Sequence, residues 1–96
     1  MKAQNTIQAI RKMTVIKFKE SKHNDLKELY IHDWKGEIFP MQFMFIKVIS
    51  NNGNYTTEKS YMIAIMETGQ IKSIELNGRS LDADQIRQFE RGNYYL

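Results

Sequence analysis

The side chains able to do acid–base or metal chemistry are few and scattered. The chain has two histidines, His23 and His32, and only His32 has an acid beside it, Asp33. Were residues 26–33 helical, Glu28 and His32 would share a face at i, i+4 spacing. A catalytic zinc site takes three protein ligands with supporting hydrogen bonds behind them, and this pair does not supply them. No G-x-S-x-G elbow, glycine-rich phosphate loop or H-E-x-x-H occurs. Asp82 and Asp84 form a carboxylate pair, but the first is better explained as a helix cap and the second as a first-turn acid favoured by the helix dipole. Cysteine is absent, which excludes disulfides, thiolate nucleophiles and cysteine-ligated zinc or iron–sulfur centres. The sequence therefore offers no catalytic residue, no metal ligand set and no cofactor motif, and points away from an enzyme.

Binding chemistry has more material. Tyr30, Trp34, Tyr55 and Tyr61 are interleaved with Lys17, Lys19, Lys47, Lys59 and Lys72, a composition that suits stacking on bases and neutralising phosphates. Strands are ordinarily rich in aromatics, however, and their solvent-facing ends in lysine. The net charge is only +3, but it is uneven: residues 1–19 hold Lys2, Arg11, Lys12, Lys17 and Lys19 and no acid, whereas the remainder is slightly acidic. Arg11, Lys12, Lys17, Lys19, Trp34 and Lys35 are accordingly the candidate residues for nucleic acid. The plainer explanation is a basic helix end followed by a lysine-guarded edge strand. Met41, Met44, Met62 and Met66 are flexible, adaptable side chains of the kind found both in cores and at protein interfaces.

These residues must be positioned by elements that the pattern reveals. Ala3, Ile7 and Ile10 recur at helical spacing and predict a short helix over 2–12. From Met13 the period changes to two, with Thr14, Ile16 and Phe18 on one face and Val15, Lys17 and Lys19 on the other, predicting a first strand. Residues 26–32 fit a helix or a strand, and the strand is preferred because Asp33-Trp34-Lys35-Gly36 reads as a turn between two extended runs. Met41–Ile49 and Tyr61–Met66 are apolar on both faces, so each face needs cover. Glu67-Thr68-Gly69-Gln70 predicts a tight turn into a strand over 71–76. Asn77-Gly78 is a further turn signal, and Asp82 with Gln85 predicts a capping box opening a helix over 83–91. Leu81 and Ile86 stand at staple positions, and Gly92 is the terminator.

The expected fold is α+β: an N-terminal helix, a five-stranded antiparallel meander open to curling into a barrel, and a C-terminal helix, in one domain of 96 residues. The hairpin Asp33-Trp34-Lys35-Gly36-Glu37, with a meander closing into Ser80-Leu81-Asp82 and a helix, faintly resembles the positive-cofactor-four-like single-strand binders. It departs from them in its N-terminal helix and in lacking a basic run after the turn, and no family is assigned on it. The expected function is non-catalytic binding of a protein partner, as a homodimer, through Met41, Phe43, Phe45, Met62, Met66, Tyr94, Tyr95 and Leu96. The alternative is a nucleic-acid-binding accessory protein using the basic residues above. No stretch has the length and hydropathy of a membrane span or a signal h-region, so the expected location is the cytoplasm.

Overall fold

The structure, a computed structural model, describes residues 2–21, 27–37, 40–51 and 53–93. Helix α1 (Lys2–Glu20) is followed by strands β1 (Lys27–Lys35), β2 (Gln42–Asn51), β3 (Thr56–Ile65), β4 (Ile71–Leu76) and β5 (Arg79–Ser80), and helix α2 (Ala83–Glu90) ends the fold. The strands form one open antiparallel sheet in sequence order, an α+β meander that does not close into a barrel. Among the described residues no helix is long and apolar enough to cross a membrane.

The segment Met13–Lys19 is helix, not the first strand that its alternation predicts. The buried stripe Ala3, Ile7 and Ile10 continues to Thr14 at spacings that keep one helical face. Neither Gly nor Pro interrupts residues 2–20, and extending an existing helix costs one residue per hydrogen bond gained. A six-residue alternation cannot compete with that and with the packing of the stripe. The number of strands is kept at five because the two-residue β5 joins the far edge. The turn also moves. Asp33, Trp34 and Lys35 stay in β1, opposite Met44, Phe43 and Gln42, and the chain reverses beyond them, where Gly36 N–H donates to the Met41 carbonyl at 2.8 Å.

Among the described residues, both helices cover the same side of the sheet. Met44, Ile46, Ile63, Ile65 and Ile74 alternate inward and make the core with Ala3, Ile7 and Ile10 of α1 and Phe89 of α2. The Tyr61 and Phe89 rings meet at 5.6 Å between centroids. Three polar links fix α1 across this face. Gln4 Nε2 donates to Gln42 Oε1 at 2.7 Å, Thr6 Oγ1 donates to the Gly69 carbonyl at 2.6 Å, and Arg11 pairs with Asp33 Oδ1.

The C-terminal signals are met as predicted. Asn77 (φ 51°) and Gly78 (φ 81°) make the turn between β4 and β5 with positive φ at both central positions, the combination that suits a two-residue hairpin. Asp82 accepts from Gln85 N–H at 2.8 Å while Gln85 Oε1 accepts from Asp82 N–H at 3.0 Å, a complete capping box. Half-buried Leu81 and Ile86 pack on the core. Gly92 (φ 82°) closes the helix with its N–H on the Phe89 carbonyl, and Asn93 N–H bonds the Gln88 carbonyl.

Candidate protein-binding face

Because successive strand residues point to opposite faces, the register assigns a second set of side chains to the side of the sheet that carries neither helix. Trp34, Phe43, Ala64 and Ser73 make one row across β1 to β4. His32, Phe45, Met62 and Glu75 make the next, and Tyr30, Lys47 and Ser60 the third. Glu28, Ile49 and Glu58 close the patch. The centre is aromatic and aliphatic. The rings of His32 and Trp34 stack at 5.6 Å and 22°, and those of Trp34 and Phe43 at 5.5 Å and 19°, offset-stacking distances that hold the rings as a unit. Trp34 remains 37% exposed and Tyr30 52%, while Phe43, Phe45, Met62 and Ile49 are half-buried.

The rim is polar and mostly acidic. Tyr30 Oη donates to Glu28 Oε2 at 2.8 Å, and that carboxylate, by accepting this bond and by its charge, raises the Tyr30 hydroxyl above its ordinary value of 10.0. Lys47 Nζ lies 3.6 Å from Glu58 Oε1, so the lysine of this face already has a carboxylate partner. Glu28, Glu58 and Glu75 together outnumber it.

The interface candidates read from the sequence divide into three groups. Phe43, Phe45 and Met62 come together on the open face. Met41 and Met66 flank the Gln42–Ile65 pair at one end of β2 and β3, Met41 half-buried and Met66 37% exposed. Tyr94, Tyr95 and Leu96 lie outside the described residues, as does His23.

A search of protein-family models, curated proteins and solved structures finds no match.

The nucleic-acid candidates are separated rather than assembled. Arg11, Lys12, Lys17 and Lys19 all belong to α1, which covers the core face, with Arg11 committed to Asp33. Trp34 is on the opposite face of the sheet, and Lys35 ends β1 on the side of Gln42. Glu28 and His32, which helical geometry would have placed one turn apart, are spread along a strand, about 13 Å between Cα atoms. Among the described residues no three His, Asp or Glu side chains are grouped so that they could hold a metal ion. The sequence reading missed His32, Ile49 and Ala64 as members of the face. The period-two set Glu28, Tyr30, His32 and Trp34 was the available signal, obscured by placing a turn at Asp33.

Proposed function

We propose that this protein is a non-catalytic binding module that takes a protein partner on its open sheet face and acts as a homodimer. The supporting observation is the patch of His32, Trp34, Phe43, Phe45 and Met62 on the sheet face that, among the described residues, carries neither helix. Exposed contiguous apolar surface rimmed by polar groups marks interaction sites in soluble proteins, and aromatics with Met are enriched in interface centres. The patch spans about 14 Å across the four strands and about 20 Å along them. That footprint is smaller than one side of a standard interface, about 800 Å². It fits a short segment of a partner, or one part of a larger surface that a dimer would complete.

Base stacking on the same rings is the competing use. It is disfavoured by the acidic rim, by the Lys47–Glu58 pair and by the position of the α1 cations behind the sheet. Trp34 is the chain's one tryptophan, so its fluorescence reports occupancy of this face. Titration with single- and double-stranded oligonucleotides at low salt is expected to leave Trp34 emission unchanged. Capture from the native host should yield a partner that binds wild type and is lost with Phe45→Asp at unchanged circular dichroism. Salt-sensitive quenching of Trp34 by oligonucleotides would overturn the reading in favour of nucleic acid.

A further inference from the structure

β1 is one edge of the sheet. It pairs with β2 on one side, and among the described residues no strand pairs with the other. It runs nine residues with neither proline nor register shift, whereas the opposite edge ends in the two-residue β5. Long, regular edges are the ones that recruit another strand.

The direction of its free backbone groups follows from the ladder. Gly36 bonds Met41, one position beyond the Lys35–Gln42 pair, and bonded positions alternate in an antiparallel pair. The even-numbered residues of β1 therefore bond inward to β2. The Asn77–Ser60 bond, carried back through the registers of β3 and β2, gives the same phase. Leu29, Ile31, Asp33 and Lys35 direct N–H and C=O outward.

We propose that a second copy of this chain pairs antiparallel with this edge, with Tyr30 opposite Tyr30 of the partner subunit on a two-fold axis perpendicular to the sheet. Such an axis keeps like faces together, so only shifts by whole pleats are allowed. With Tyr30 on the axis, Leu29 meets the partner's Ile31, Glu28 meets the partner's His32 and Lys27 meets the partner's Asp33. Apolar faces apolar, and charge faces a complementary group. Centring on Ile31 sets Lys27 against the partner's Lys35 and Leu29 against the partner's Asp33. Centring on His32 sets Leu29 and Ile31 against charges, and centring on Asp33 brings two carboxylates together. Centring on Leu29 shortens the overlap and sets Lys27 against the partner's Ile31. Only the Tyr30-centred register sets neither Leu29 nor Ile31 against a charged residue, and in it Lys27 adds to a carboxylate that Arg11 already holds. The joined sheet carries the two open faces side by side, with Tyr30, His32 and Trp34 at its middle, which enlarges the binding face proposed above. The inference rests on the dimeric part of that reading and not on what the face binds.

The chain has no cysteine, so a single introduced thiol reads the register. Across the new seam position 30 is a non-hydrogen-bonded pair with Cα atoms about 4.5 Å apart, inside the roughly 4.4–6.8 Å span of disulfides. Mild oxidation of Tyr30→Cys is expected to give a covalent dimer. The His32→Cys control, whose counterpart stands about 13 Å away, stays monomeric on a non-reducing gel. Ile31→Pro removes an outward donor and spares the β2 ladder; light scattering should show it monomeric where wild type is dimeric, at unchanged circular dichroism. A monomeric wild type, equal cross-linking of both cysteine variants, or a dimer that survives Ile31→Pro in folded protein overturns the proposal. A dimer lost in Phe45→Asp and kept in Ile31→Pro overturns the edge while leaving the homodimer in place. Should Ile31→Pro fail to fold, the two cysteine variants decide alone.

Discussion

The Tyr30 hydroxyl and the Glu28 carboxylate show how a single pair on an exposed strand can be read by titration. The bond and the negative charge favour the protonated phenol, so the Tyr30 value is raised. The interaction is present below about pH 10 and is lost as pH rises through the raised folded value. Glu28→Gln should move the tyrosinate absorbance transition of this residue to lower pH, and an unmoved transition would mean that the pair does not persist in solution. A buried residue answers differently. Phe89 is 1% exposed and meets Tyr61 inside the core. Phe89→Ala is expected to cost about 3–5 kcal/mol by urea denaturation, through lost burial and the cavity left behind. At this scale composition was a poor guide to role. His32, the one histidine beside an acid in the sequence, is in the fold a ring stacked on Trp34, and the strand sets Glu28 too far along the chain to converge with it.

Elements whose signals are local behaved as their residues dictate. Asp82 and Gln85 make the capping box, and Asp82→Ala should cost about 1 kcal/mol. Gly69 and Gly78 both hold positive φ, but their surroundings differ. A Cβ at Gly78 would meet nothing, whereas one at Gly69 would stand 2.9 Å from the Lys2 carbonyl and 3.0 Å from Thr6 Oγ1. Both alanine variants carry the conformational cost of that backbone, roughly 1–2 kcal/mol. Gly69→Ala should lose more, because it also pushes the first turn of α1 off the β3–β4 turn. Equal denaturation midpoints would mean that α1 is not seated there. The misread element was the second half of α1. Its alternation was real, but Ile16 is 45% exposed in the helix, which shows that the local pattern gave way to the longer stripe ending at Thr14.

For the whole molecule, the decisive feature is that both helices cover the same side of the sheet. Lys17→Glu combined with Lys19→Glu should therefore leave Trp34 emission nearly unchanged, since both belong to the last turn of the helix behind the face, while costing about 1 kcal/mol or more of stability through the helix dipole. A large change in Trp34 emission would contradict that separation. The amino-acid order alone determined the α+β class, the apolar character on both faces of the stretches 41–49 and 61–65, and the C-terminal turn, cap and helix. Each of these is written in residues close together in the chain, through periodicity and turn chemistry. Only the tertiary structure decided that α1 runs to Glu20, that the sheet stays open, and that Trp34, Phe43, Phe45 and Met62 share the face away from the basic helix. Those outcomes depend on strand register and on which side the helices pack. Both are set by contacts between residues far apart in sequence, where a shift of one position would exchange the buried face for the exposed one.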